Sequence, residues 1–250
     1  MRNFKLTLAY DGAEFHGWQV QPSLATVQGT LAAALEQITG ERVLPQGSGR
    51  TDAGVHALEQ VASVALESPI PAANLHKALN DILPAAIRVL TSEEAPPHFH
   101  ARHSVQAKTY LYRIHRGSVC PPFLARYVYH HPFPLDEEAM RRAARLVEGE
   151  HDFTSFAAVD PERAHEGEEA SNIRTIHSSG FEREGEELVY KVRGSGFLHH
   201  MVRNLVGTFL LVGKGSLDEA GLRRILELKD RSAAGGTAPA SGLYLASVEY

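Results

Sequence analysis

Two spacings of apolar residues alternate along the first 95 residues: every second position in some segments, and every third or fourth position in others. They are typical of half-buried strands and of amphipathic helices, respectively. Thr26 and Gly40 are residue types that favour the start and the end of a helix. The pattern predicts a strand over 3–10, a helix between Thr26 and Gly40, strand residues at 43–44, a strand over 58–66, a helix over 72–82 and a strand over 87–90.

A second series of elements begins near residue 104 and uses the same two spacings. It is interrupted at 158–171 by a predicted acidic loop. The predicted elements are a strand over 104–116, a strand near 127–129, a helix capped by Asp136, a turn or 3₁₀ segment at 153–156, a hairpin of 173–181 and 188–192, an apolar helix over 197–212, a helix after a capping box from Ser216 to Glu219, and a strand over 243–250.

Each half of the chain thus combines helices with a mainly antiparallel sheet, so the sequence predicts an α+β fold. We expect two domains, 1–103 and 104–250, whose sheets join into one central sheet with helices packed on it. Clefts at domain junctions commonly hold ligands, so an active-site cleft is expected between the two halves.

Composition favours a soluble, cytoplasmic protein. Of the 250 residues, 43% are hydrophobic and 22% charged, which is ordinary for a folded globular chain. Cys120 is the single cysteine, so no disulfide can form within the chain. The N-terminus has no targeting pattern, and no apolar run is long enough to span a membrane.

The net charge of −5 argues at first against a nucleic-acid partner. However, residues 160–187 hold nine acids and three bases, so the rest of the chain has a net charge of +1. Residues 97–116 contain four bases and no acid. Phosphate binding depends on the local electrostatic field more than on the total charge, so the net charge does not decide the question. These four bases either form a positive groove or are scattered over the surface, and the sequence leaves both possibilities open.

The chemistry-bearing stretch is GSGRTDAGVHA, residues 47–57, which lies between two predicted strands. Its three glycines predict a tightly bent loop whose shape determines where Arg50 and Asp52 point. An ionised Asp52 can act as a nucleophile or a general base. Two alternatives stay open: an ordinary Asx turn and a glycine-rich phosphate cradle, although the spacing matches no standard phosphate loop.

All eleven residues of this stretch resemble the signature of the TruA family of tRNA pseudouridine synthases. The resemblance implies that Asp52 is the catalytic residue, that Arg50 is the basic residue before it, and that the chain has the pseudouridine synthase fold.

Three further motifs follow in the family's order. KTYLY, residues 108–112, places Tyr110 and Tyr112 on one face of a strand, where they either pack in the core or stack on a nucleobase; the resemblance assigns Tyr110 to the active site. FLHHMVR, residues 197–203, resembles the run in which the family's arginine pairs with the catalytic Asp. Arg203 is therefore the expected partner, against the alternative of a surface arginine. GLYL, residues 242–245, resembles an active-site wall that includes Leu245.

His98, His100 and His103 are spaced closely enough to suggest a zinc site, but no acid or cysteine is adjacent to complete a ligand set. We therefore expect no metal. Two rival functions remain: a metal-dependent hydrolase built on these histidines, and a non-catalytic RNA-binding module that has no need of Asp52.

The family resemblance implies isomerisation of uridine to pseudouridine at tRNA positions 38, 39 and 40, in the anticodon stem-loop. It also implies a homodimer that binds tRNA and requires no cofactor.

Overall fold

The computed structural model describes residues 1–159 and 171–250, which form two compact units. The first unit is Met1–Lys108 together with Tyr244–Tyr250, and the second is Thr109–Leu243. These units differ from the expected domains, 1–103 and 104–250, in the assignment of residues 104–108 and 244–250. Most of the predicted acidic loop lies outside the described residues.

The first unit is an antiparallel sheet of three strands, extended by one parallel strand, with two helices. The strand order is β4-β1-β3-β10, and the short β2 pairs with β3 at the end of β3 away from β10. The core includes the inward face of β1 and Leu31, Leu35, Leu75 and Leu79 of the helices, all fully buried. Its elements are β1 (Arg2–Tyr10), α1 (Val27–Thr39), β2 (Gln46–Gly47), β3 (His56–Leu66), α2 (Ala72–Ile82), β4 (Ile87–Ala95) and β10 (Leu243–Glu249).

The predicted limits of α1 are confirmed by its capping geometry. The side chain of Thr26 accepts a hydrogen bond from the backbone N–H of Gly29, and Gly40 ends the helix with a φ of 76°. Both ends depend on residues within one turn, which makes them readable from sequence.

The second unit is also α+β, so the predicted fold class is confirmed for each unit. Its sheet has the order β5-β9-β8-β7, with the short β6 parallel to β5. Helix α3 packs on β8 and on α4. The rings of Phe181, Tyr190 and Phe209 contact one another in the core of this unit. Its elements are β5 (Ala107–His115), β6 (Tyr129–His130), α3 (Glu137–Arg145), β7 (Gly149–Asp152), β8 (Ile173–Glu184), β9 (Glu187–Gly194), α4 (Met201–Gly213) and α5 (Glu219–Leu228).

Several predicted element limits are wrong: β5 begins at Ala107 instead of residue 104, β4 continues to Ala95 instead of residue 90, and three further differences concern the motifs and caps. The strand before the motif is Gln46–Gly47, three residues later than predicted. Helix α4 begins at Met201 instead of residue 197, because His200 has a left-handed backbone with a φ of 58°. The capping box is replaced by a simple cap, since Asp218, and not Ser216, accepts the N–H of Gly221.

None of the helices in the described ranges is long and apolar enough to cross a membrane.

Candidate active site

The motif of residues 47–57 forms the loop between β2 and β3. The backbone N–H of Val55 donates to the carbonyl oxygen of Asp52 at 3.1 Å, and Gly54 has a φ of 78°. A four-residue turn with a positive φ at its third residue favours glycine there. Asp52 therefore begins a tight turn, and its side chain is partly exposed.

The segment that precedes α1 lies directly against this turn. The N–H of Trp18 donates to the carbonyl oxygen of Thr51 at 3.0 Å. A Cβ atom at Gly12 would lie 1.9 Å from the carbonyl oxygen of Val55, and one at Gly17 would lie 2.6 Å from that of Thr51. Only glycine allows two backbones to come this close, so these glycines define the position of the loop.

Buried side chains form a polar network under the first half of the loop. Ser48 Oγ donates to Gln60 Oε1 at 2.6 Å, and Gln60 Nε2 donates to the carbonyl oxygen of Gly49 at 3.0 Å. The Tyr10 hydroxyl lies 2.8 Å from Thr51 Oγ1 and 3.4 Å from Gln60 Nε2. Burial raises the pKa of Tyr10 to about 12, so this phenol is neutral near pH 7.

The second half of the loop is held by contacts of His56, a residue that is 2% exposed. Its Nδ1 accepts the N–H of Gly12 at 3.1 Å and lies 3.2 Å from Asp11 Oδ1. Its ring stacks on that of Tyr244, with 4.8 Å between the centroids. These contacts tie the end of the loop both to the segment before α1 and to β10.

Leu245 follows in β10, in parallel register with Ala57. Its side chain is fully buried, so in this structure it provides packing at the end of the loop.

Arg50 projects from the loop and is exposed. Its Nε donates to Gln19 Oε1 at 3.1 Å. Lys108, the first residue of the KTYLY motif, donates from Nζ to the carbonyl oxygen of Ser48 at 2.6 Å. Arg50 thus projects from the loop, and Lys108 hydrogen-bonds to it. These two positive charges favour the approach of anionic groups to the loop.

In the second unit, Tyr110 and Tyr112 differ in their surroundings. Tyr112 is fully buried and donates to the carbonyl oxygen of Pro239 at 2.7 Å, and burial raises its pKa. Tyr110 keeps 8% of its surface exposed and makes an edge contact with Phe197 at 4.9 Å between ring centroids. Tyr112 is therefore a core residue, as the packing alternative predicts.

Arg203 lies in the first turn of α4 and is partly exposed. Its Nε donates to the carbonyl oxygen of Ala238 at 2.8 Å, and its own carbonyl accepts the N–H of Ala238. The neighbouring Asn204 is fully buried and accepts hydrogen bonds from Arg231 and Thr237. The loop after α5 is thereby fixed against the start of α4, and it orients the guanidinium of Arg203.

Two of the four bases in residues 97–116 are compensated by acids. Arg113 forms a two-pronged ion pair with Glu187, with both N–O distances at 2.7 Å. Arg116 lies 3.4 Å from Glu137. These pairs reduce the positive charge that this stretch can offer to phosphates.

Two of the three spaced histidines lie together. The rings of His100 and His103 are 4.3 Å apart, and His100 Nδ1 accepts the backbone N–H of Arg102 at 3.1 Å. Burial, followed by the charges of His103 and Arg102, lowers the pKa of His100. One ring nitrogen of His100 is therefore engaged in holding the local loop.

The five predicted site residues fall into two groups. Arg50, Asp52 and Leu245 belong to the first unit, on or beside the motif loop, and Tyr110 and Arg203 belong to the second. Sequence reasoning missed the supporting network of Tyr10, Ser48, Thr51 and Gln60. Its centre is Gln60, which is fully buried in β3, but the strand sequence does not single it out, because Glu59 precedes it and Ser63 follows.

Comparison with known proteins agrees with the motifs. The family model described as tRNA pseudouridine synthase matches residues 7–104 and 143–250. The chain is 54% identical to tRNA pseudouridine synthase A of Solibacter usitatus over 250 residues, covering all of both proteins. It is 45% identical to the proteins of the same name from Lacticaseibacillus casei and Brevibacillus brevis, again over the full length of each. The chain belongs to the tRNA pseudouridine synthase family.

Proposed function

We propose that this protein isomerises uridine to pseudouridine at positions 38, 39 and 40 of the tRNA anticodon stem-loop, with Asp52 as nucleophile or base. Members of this family are isomerases that act on uridine in tRNA. The observation that carries the proposal is the tightly framed turn at Asp52, inside eleven residues that match the family signature. A carboxylate whose direction is fixed in advance suits a reaction at one defined atom.

The reaction rearranges bonds without any outside reagent. The bond between ribose C1′ and base N1 breaks, the base turns, and C1′ bonds to C5. The proton on C5 leaves, and N1 gains a proton. Since no electron or group enters from outside, the proposal includes no cofactor.

The remaining roles are assigned by the resemblance and by side-chain chemistry. Tyr110 stacks on the reacting base, and Arg203 supplies the cation that keeps the catalytic carboxylate ionised. Arg50, which is exposed, contacts a phosphate or fills the space that a displaced uridine leaves. Leu245, which is buried, supports the end of the catalytic loop.

A homodimer in which one tRNA contacts both subunits, and a cytoplasmic location, complete the proposal. The homodimer is implied by the resemblance to the family, and the location is the expectation drawn from composition.

The experiment that tests the target positions uses full-length tRNAs that each carry one uridine tritiated at carbon 5, at position 38, 39 or 40. A fourth tRNA carries it elsewhere in the anticodon loop. We expect tritium release from the first three and none from the fourth, because only carbon 5 of a target uridine exchanges its hydrogen for ribose. The reactions contain a chelator, which would abolish the activity of a metal-dependent hydrolase built on His98, His100 and His103. Binding of every tRNA with no release would favour the RNA-binding module.

A further inference from the structure

We infer that Tyr10 is a positioning residue for the isomerisation: its buried hydroxyl fixes Thr51, and Thr51 fixes the direction of Asp52. The inference rests on the proposed function and adds to it a residue that lies outside the motif loop.

The geometry begins with a chain of hydrogen bonds that is closed to solvent. Gln60 Nε2 lies 3.4 Å from the Tyr10 hydroxyl, and as an amide it can only donate. The Tyr10 oxygen therefore accepts this bond, and the Tyr10 hydroxyl forms a second hydrogen bond with the hydroxyl of Thr51 at 2.8 Å. Tyr10 is 5% exposed, Thr51 is 6% exposed and Gln60 is fully buried, so water does not compete for these bonds.

Thr51 is then fixed at two of its atoms. Its side-chain oxygen is held by Tyr10, and its carbonyl oxygen accepts the N–H of Trp18 at 3.0 Å. The next residue, Asp52, begins the turn that the Val55 N–H closes. The backbone is thus held by hydrogen bonds at Thr51, directly before Asp52, and at Val55, three residues after it. The Cα–Cβ bond of Asp52 therefore has little freedom to change direction.

The same network also fixes the beginning of the loop. Gln60 accepts from Ser48 and donates to the carbonyl oxygen of Gly49, so one buried amide joins two loop residues to Tyr10. Loss of the Tyr10 hydroxyl frees Thr51 directly and leaves Gln60 with one partner fewer. A displacement of about 1 Å at a reacting group can reduce turnover on the order of 100-fold.

The second unit supplies a matched control for a merely structural role. Tyr190 is fully buried, and its hydroxyl lies 2.8 Å from Ser179 Oγ. Tyr190→Phe removes the same kind of buried tyrosine–hydroxyl bond as Tyr10→Phe, but in the hairpin of β8 and β9, which carries none of the proposed site residues.

The experiment measures tritium release from tRNA labelled at carbon 5 of its uridines, with kcat and KM determined separately, and records the thermal midpoint of each variant. For Tyr10→Phe we expect kcat to fall about 10- to 100-fold with KM within twofold of the wild type, because loop geometry changes and the RNA-binding surface does not. For Tyr190→Phe we expect a comparable drop in thermal midpoint and a kcat within twofold of the wild type.

A second pair of variants tests the positioning role of the Tyr10–Thr51 hydrogen bond if Tyr10→Phe does not fold. Thr51→Ser keeps the hydroxyl that Tyr10 contacts and Thr51→Val removes it, so we expect the serine variant to exceed the valine variant at least tenfold in kcat. Three results would overturn the positioning role and leave the proposed function standing. They are equal kcat values for Thr51→Ser and Thr51→Val, an unchanged kcat in Tyr10→Phe, or a fall in the kcat of Tyr190→Phe as large as that of Tyr10→Phe. Absence of release by the wild type would overturn the proposed function, and the inference with it.

Discussion

At the scale of single residues, the candidate site depends on backbone contacts that exclude side chains. Gly12 approaches the carbonyl oxygen of Val55, and Gly17 approaches that of Thr51, so both segments are held at distances that no Cβ atom permits. Tyr10 and Gln60 then fill the space below the loop with hydrogen-bonded groups. The direction of Asp52 therefore depends on the motif itself, on Gln60 eight positions later, and on Tyr10, Gly12 and Gly17, which lie at least 35 positions earlier in the chain.

Substitution of Gly12 by alanine tests this dependence. Because the new Cβ would lie 1.9 Å from a backbone oxygen, we expect Gly12→Ala to lower the free energy of unfolding by more than about 2 kcal/mol. Gly180→Ala is the matched control, since Gly180 lies in a strand with no atom within 4 Å of its added Cβ, and its unfolding free energy should change by less than about 1 kcal/mol. Urea unfolding of both variants gives the comparison; equal values would show that the close approach at Gly12 does not constrain the fold.

At the scale of elements, the described structure shows which signals are local. Helix α1 could be predicted to the residue because its cap, Thr26, and its stop, Gly40, both act within one turn. The start of α4 could not, because His200 adopts a left-handed conformation in a sequence that otherwise favours helix. The strand β10 was predicted from its pattern, but its parallel pairing with β3 joins residues almost 190 positions apart, which no local pattern encodes.

The cap of α5 provides a test at this scale. Asp218 Oδ1 accepts the N–H of Gly221 at 2.7 Å, so Asp218→Ala should lower the free energy of unfolding by about 1 kcal/mol. Ser216→Ala should change it by no more than a few tenths of that value, although the sequence suggested Ser216 as the cap. Chemical unfolding of the two variants distinguishes them, and a larger loss for Ser216→Ala would restore the capping box.

At the scale of the whole molecule, the motifs predicted the family, and comparison over the full chain confirms it. The sequence also predicted a bent loop around Asp52, because three glycines in eight positions favour one. It could not predict the network under the loop, since Tyr10, Thr51 and Gln60 meet only after β1 and β3 have paired. Nor could it show that Arg113 and Arg116 pair with acids, so that charge counted along the chain overstates the charge available to RNA.

The central claim is that the carboxylate of Asp52 performs the reaction and is not needed to bind tRNA. Asp52→Asn keeps the size of the side chain and removes its charge. Glu59→Gln is the matched control, because Glu59 is an exposed carboxylate seven residues further along the same chain segment.

The most direct measurement is tritium release from tRNA labelled at carbon 5 of its uridines, together with the dissociation constant for tRNA, on the same preparations. We predict that Asp52→Asn releases at least 1,000-fold less tritium than the wild type while binding tRNA within about threefold of the wild-type affinity, and that Glu59→Gln matches the wild type in both. Release by Asp52→Asn at the wild-type rate would contradict the assignment of Asp52 as the catalytic residue.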